Sequence, residues 1–131
     1  MNIFTLRLFA VGRGEVIDGV VSFRGEDASG GFGILAHHDR FMTALSFGLA
    51  RLRFQDGRME YLALPGGVLY FVDNELRIST RRYLRDTDAT RIAAALDRDL
   101  LQEERVVEQA RRKLRRLEAE MLRRVAHLGT G

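Results

Sequence analysis

The residues with the most obvious chemical potential lie between positions 30 and 41. His37-His38-Asp39 sets two imidazoles and a carboxylate in a row, residue types that ligate metals or relay protons. A zinc site needs three or four converging ligands. Neighbours in extended chain point to opposite sides, the next histidine is His127, and cysteine is absent. No metal is therefore expected; the stretch reads as a polar turn, His37 to Arg40, with one histidine as a hydrogen-bonding post. Gly30-Gly31-Phe32-Gly33, just upstream, could cradle a phosphate. It lacks the Lys-Ser/Thr ending of a P-loop and precedes a strand rather than a helix. Tight backbone packing is the better reading, since glycine allows positive φ and close approach. Arg111-Arg112-Lys113-Leu114-Arg115-Arg116 is the densest basic run. Helical spacing spreads its charges around a Leu114/Leu117 seam, as a solvated face or as a docking surface for acidic protein. Nucleic acid ranks third: residues 86–131 carry ten basic and nine acidic side chains and no aromatic to stack on bases. No Ser/His/Asp or paired-carboxylate arrangement follows from spacing, so no enzyme is expected.

The elements that must hold these residues fit in 131 positions, one domain or a small domain with an appendage. No apolar run reaches the roughly 18 residues of a membrane span. The chain starts directly in a strand pattern, without the basic start and small-residue cleavage site of a signal peptide. Lack of cysteine excludes a disulfide scaffold and suits a reducing compartment. Net charge is +3, with 21 basic and 18 acidic residues.

Phe4, Leu6 and Leu8 alternate with Thr5 and Arg7, the period of a half-buried strand. Gly12-Arg13-Gly14 signals a turn. Glu15 to Phe23 reads as a second strand with Val16, Val20 and Val21 as its apolar set and a bulge or close approach at Gly19. Arg24 to Ser29 reads as a polar loop into the glycine-rich stretch, whose Ile34-Leu35 enters an interior. Ala50, Leu52 and Phe54 alternate with Arg51 and Arg53. Asp56-Gly57 predicts a two-residue type I′ hairpin, and Met59 to Leu64 returns as the partner strand. Pro65-Gly66-Gly67 interrupts, Val68 to Val72 reads as a central strand, Asp73-Asn74 as a tight turn, and Glu75 to Thr80 as the last strand. Short strands at this spacing predict an antiparallel sandwich or barrel.

From Thr87 to Leu128 there is neither Gly nor Pro, and apolar residues recur at helical spacing. Asp86, Thr87 and Asp88 are N-cap candidates, and Gly129 is expected to end the helix. From Val107 to Met121 the apolar steps run 3, 4, 3, 4, a coiled-coil seam. Such a stripe must fold back as a hairpin, lie on the sandwich or dock on another protein. The fold class is thus an N-terminal antiparallel β-sandwich, residues 1–85, followed by a C-terminal long helix or helical hairpin, residues 86–131.

In order along the chain, these features resemble the epsilon subunit of F-type ATP synthases. The family's Gly-x-x-Gly-Ile/Val-Leu-Pro-x-His segment corresponds to Gly30 to His38, with Ala36 in place of the proline. Its Leu-x-x-Gly corresponds to Leu45 to Gly48, its Gly-Gly pair to Gly66-Gly67, and its two-helix tail to the C-terminal pattern. Ser79-Thr80-Arg81-Arg82 and the turnless tail are more similar to the divergent second-copy form of alternative operons, some thought to pump sodium. The resemblance implies a non-catalytic rotor subunit at the cytoplasmic face of the bacterial inner membrane. The sandwich would join the gamma subunit to the c-ring, with Gly30, Phe32, His38 and Phe41 in the contact region. The tail would extend into the alpha/beta head and inhibit ATP hydrolysis, with Arg111, Arg112, Arg115 and Arg116 meeting the beta subunit. Some family members bind ATP at an Ile/Leu-Asp-x-x-Arg-Ala motif. Thr87 to Ile92 aligns with it and keeps Asp88 and Arg91, so ATP is a candidate regulatory ligand and no other cofactor is implied. The alternative outside this family is a free-standing β-sandwich adaptor that dimerises through the helical seam.

Overall fold

The computed structural model describes residues 2–130, with side chains through His127. Nine strands precede the helix: β1 Phe4–Ala10, β2 Arg13–Asp27, β3 Gly30–Leu35, β4 Phe41–Leu45, β5 Gly48–Phe54, β6 Met59–Leu64, β7 Gly67–Val72, β8 Glu75–Ser79 and β9 Leu84–Asp86. One layer runs β1-β8-β7-β4 and the other β3-β2-β5-β6-β9. The long β2 serves both, pairing with β1 through its first half and with β3 and β5 through its second. Between the layers lie Leu6, Leu8, Leu69, Phe71, Leu76 and Ile78 from the first and Phe23, Ile34, Leu52, Leu62 and Leu64 from the second, all buried. Each such side chain contributes roughly 1.5–3 kcal/mol by leaving water. The ring of Phe4 meets that of Phe71 edge-on, 5.6 Å between centroids.

Alternation marks the strands correctly, but backbone detail shifts several faces. Val20 pairs with Phe4 and Ile17 with Leu6, so an extra residue bulges at Asp18-Gly19, where Gly19 has φ +73°. The bulge reverses the facing expected before it: Ile17 is buried and Val16 is exposed. A second shift between Val20 and Ser22 leaves Val21 half-buried while Phe23 enters the core. Arg24 to Asp27 is strand rather than loop, joined to β3 by a hairpin turn. Ile34 is buried, but Leu35 faces outward. Asp56-Gly57 does not form a two-residue type I′ turn. Phe54 N–H donates to the Arg58 carbonyl (2.9 Å), Gly57 N–H donates to the Phe54 carbonyl (3.0 Å), and Gly57 alone has positive φ there. That is a three-residue loop with a glycine bulge, because Asp56 does not adopt the positive φ that type I′ requires. Asp73 and Asn74 both do, at φ 51° and 58°. The ladder is also not wholly antiparallel: β1 and β8 run parallel, from Thr5 opposite Glu75 to Phe9 opposite Ser79.

Asp88 caps the helix, its carboxylate accepting from the N–H groups of Thr90 (2.9 Å) and Arg91 (3.1 Å). Helix α1, Ala89–Ala95, passes through a π-helical turn, Leu96–Leu101, into α2, Gln102–Thr130. The junction residues keep right-handed helical angles, so this is one continuous helix and the hairpin alternative does not occur. It runs through Gly129, which does not end it. At 1.5 Å per residue it is on the order of 60 Å long.

Candidate functional site

Three surfaces stand out. The first closes one end of the sandwich. The His37 N–H donates to Asn74 Oδ1 (2.8 Å), and Asn74 Nδ2 donates to the Ile3 carbonyl (2.9 Å), tying the 36–40 loop to the β7–β8 turn and the N-terminus. Here His37 has φ 64°. The His38 ring stands edge-on to Phe41 (5.7 Å) and Phe71 (5.9 Å), and its Nδ1 donates to the Asp39 carbonyl (2.6 Å). Phe41 packs at 5.4 Å from Phe32, and Phe32 at 6.2 Å from Phe23. The structure thus gathers Phe32, His38 and Phe41 into one aromatic cluster. Gly30 lies at the β2–β3 corner, two residues before Phe32, with φ +119°. At that corner Asp27 Oδ1 accepts from the Ser29 N–H (2.9 Å), and Asp27 Oδ2 accepts from Thr43 Oγ1 (2.7 Å). The histidines serve as structural posts, and no group of three His, Cys, Asp or Glu side chains converges among the described residues.

The second surface is the outer face of the β4-β7-β8-β1 layer, which sequence reasoning missed. Register sets Met42 beside Tyr70 and Ala44 beside Val68, with Phe9 reached across Ser79. Met42 is 64% exposed and Val68 51%. The signal lay in Val68 to Val72: a strand buried on one side only should alternate, and this one stays apolar on both faces. A contiguous apolar patch on a sheet face marks a protein contact.

The third is the helix and its root. Ile92 and Leu100 are buried against Ala63, with Phe47, Tyr61, Leu84 and Leu96 around them. Beyond the π turn the helix leaves the sandwich. One extra residue in that turn rotates the rest of the helix by on the order of 100°; Glu103, Glu104, Val107 and Glu108 stay half-buried, and the seam is exposed from Ala110 on. Leu114 is 58% exposed, Leu117 56% and Met121 66%. Arg81 pairs with Glu104 and Arg82 with Glu103, bracing the root of α2. A cleft of about 640 Å³ between them is lined by Val11, Arg82, Val106 and Val107. Arg111, Arg112, Arg115 and Arg116 lie on α2, where Glu108 pairs with Arg112 (3.6 Å) and Arg115 (3.2 Å). The structure does not bring Asp88 and Arg91 together as an open anion site. Asp88 is committed to the cap, and Arg91 Nε and Nη2 each donate to Asp86 at 2.7 Å. That pairing, with the Asp88 N–H donating to Asp86, holds the Asp86 carboxyl far below the usual carboxylate range.

Beneath the root, the ends of the two layers are joined by charge. Glu60, 5% exposed, accepts from Arg85 Nε (2.5 Å) and Arg58 Nη1 (3.4 Å). Arg85 also pairs with Glu15, which accepts from the Tyr83 hydroxyl, and the Arg13 guanidinium lies 4.2 Å from the Tyr83 ring centroid. The Tyr83 hydrogen bond, followed by Arg85 and Arg13, lowers the Glu15 pKa. Burial, then the Glu15 carboxylate, pushes Tyr83 up to about 12.

Residues 5–86 match the family model for the ATP synthase delta/epsilon chain β-sandwich domain. ATP synthase epsilon chain 2 of Cereibacter sphaeroides is 34% identical over 107 residues, covering 81% of this chain and 73% of that one. A chain in the central stalk/c-ring structure of the Tetrahymena thermophila mitochondrial ATP synthase superposes with TM-score 0.53 at 16% identity, over 62% of this chain and 65% of that one. A chain of the Euglena gracilis mitochondrial ATP synthase OSCP/F1/c-ring structure superposes with TM-score 0.60 at 20% identity, over 72% and 62%. This chain therefore spans just under two thirds of each of those two. The structural likeness shows the fold. With the sandwich matched from end to end and a relative above 30% identity along most of the length, the chain belongs to the ATP synthase delta/epsilon family, as an epsilon-type chain.

Proposed function

We propose that this protein is a non-catalytic rotor subunit of an F-type ATP synthase, its sandwich seated between gamma subunit and c-ring and its helix regulating ATP hydrolysis. The observation that carries the reading is the helix beyond Leu101, which leaves the sandwich with its apolar seam facing solvent. A helix that buries so little beyond its first turns gains most of its stability from a partner. The apolar face of Met42, Tyr70, Val68 and Phe9 takes the gamma subunit. The end holding His38 and Phe41, with Phe32 packed on Phe41, takes the c-ring; it lies at the opposite end of β8 from Arg81 and Arg82, where the helix is braced, while Gly30 sits at the other end of β3, at the corner beside Leu45. One face and one end of a rigid body thus serve two partners. Residues 1–85 form the docking unit and residues 86–131 the regulatory unit, with Arg111, Arg112, Arg115 and Arg116 meeting acidic loops of the beta subunit in the alpha/beta head. The protein then sits peripherally at the cytoplasmic face of a bacterial inner membrane, held there by the complex; among the described residues no helix is long and apolar enough to cross one.

ATP enters this reading as a regulatory ligand at Asp88 and Arg91, and it must take Arg91 from Asp86. Asp86→Ala should therefore tighten ATP binding at least severalfold in equilibrium dialysis; unchanged or weaker binding removes ATP from the proposal.

The test of the rotor reading is a chain ending at Leu101, which keeps β9 and the buried Ile92 and Leu100. It should still form a one-to-one complex with gamma, while ATP hydrolysis by the assembled complex rises severalfold. Loss of gamma binding with unchanged hydrolysis would overturn the division of labour.

A further inference from the structure

The seam of α2 is complementary to itself, and we propose that the free protein pairs with a second copy through α2, antiparallel, with the two sandwiches at opposite ends. Two observations point to this occupant. The first is how charges on α2 are already spent. On its outer side Glu108 pairs within the helix with Arg112 and Arg115, while Glu120 at the seam's edge pairs with Arg124 one turn on. The other charges flanking the seam differ. Arg111, Lys113 and Glu118 form no ion pair among the described residues, although they border Val107, Ala110, Leu114, Leu117 and Met121. Flanking charges of this kind select partner and orientation in coiled coils.

Orientation follows from their order. With Leu114 of one helix set against Leu117 of an antiparallel second copy, Ala110 faces Met121 and the stem of Arg124 covers Val107. Arg111 then stands beside Glu118 of the second copy and Lys113 beside its Glu120, and the two-fold axis repeats each pair. That gives four attractive contacts, with Glu120 exchanging or sharing Arg124. A parallel, in-register pair gives only Lys113 with Glu118, twice, and sets Glu120 against Val125.

The second observation is the cleft at the root of α2. Val106 and Val107 line it together with Val11 from the sandwich, so the first turns of the seam face the protein's own body. A parallel partner would bring a second sandwich into that space. An antiparallel partner brings only a helix. Ala110, Leu114, Leu117 and Met121 are then covered by the same segment of the other copy. This pairing does not depend on the rotor reading; it would compete with any partner that needs the same seam.

The test uses the full-length protein, whose lack of native cysteine makes cross-linking unambiguous. Sedimentation equilibrium should show a reversible monomer–dimer mixture. Leu114→Cys mixed with Leu117→Cys should form a disulfide-linked heterodimer on mild oxidation, while Leu114→Cys alone should not. Reversing Glu118 and Glu120 to Arg should weaken dimerisation at least tenfold, as should reversing Arg111 and Lys113 to Glu. Mixing the two reversed proteins should restore pairing between them. A monomer at all concentrations, efficient self-linking of Leu114→Cys, or charge reversals without effect would overturn the proposal.

Discussion

Glu60 is a carboxylate in a layer of leucines. It is tolerated because Arg85 and Arg58 reach it from the edge, and removing a partner should expose the cost. Replacing Arg85 with Met should destabilise the fold by roughly 2–4 kcal/mol in urea denaturation, since a nearly buried charge loses its main counter-ion. Adding Glu60→Gln to that variant should recover part of the loss. Titration of the same network gives a second expectation. Tyr83 is held neutral in the folded state up to about 12, whereas an unfolded tyrosine ionises near 10. Its contribution is therefore complete below pH 10 and disappears as pH rises toward 12. Absorbance should show a tyrosine ionisation near pH 12 that Tyr83→Phe removes. Glu15 has the opposite sign: its pKa is lowered in the fold, so its contribution is present above its unfolded value, near 4.3, and is lost as acid protonates it. Tyr83→Phe should flatten both limbs of the pH–stability curve.

Elements differ in how plainly they are written in the chain. Strands whose residues alternate strictly, such as Ala50 to Phe54, are legible because one backbone period decides every side chain. The face of β2 is misread because a single inserted residue at Asp18-Gly19 flips the pattern, and nothing local separates Val16 from Ile17. β3 is hard to delimit for another reason: Gly30, Gly31 and Gly33 contribute no side chains, so no alternation exists to detect. The continuous helix is open to two readings, because an apolar stripe has the same spacing in a hairpin arm and in a free helix. The β4-β7 apolar patch depends on which strands become neighbours, which residues distant in sequence decide. Two substitutions test this scale. A Cβ at Gly67 would stand 2.6 Å from the Ser79 carbonyl oxygen, whereas one at Gly57 meets open space. Gly67→Ala should thus lower the melting temperature more than Gly57→Ala, whose cost, about 1–2 kcal/mol, comes from its left-handed backbone alone. Asp88→Ala should cost about 1 kcal/mol of helix stability through the lost cap, seen as faster amide exchange at Thr90 and Arg91.

For the molecule as a whole, anchorage is divided unevenly. Sheet pairing and a filled interior hold residues 4–86, a short apolar contact holds the helix as far as Leu101, and only two surface ion pairs brace the root of α2 among the described residues. Exposed pairs of that kind contribute roughly 0–1 kcal/mol each and weaken with salt. Proteolysis under native conditions should cut within 103–127 and leave a resistant fragment of the sandwich with α1, with cleavage faster at high ionic strength. Equal resistance along the whole chain would mean that α2 is held by more than these contacts.

The parallel pairing of β1 with β8 also has a consequence for how the protein is born. Thr5 must wait for Glu75, seventy positions later, before its outer edge can be zipped, and contacts so distant in sequence slow folding. A ribosome delivering this polypeptide therefore holds an open β-edge until the stretch around Ser79 has emerged from the exit tunnel.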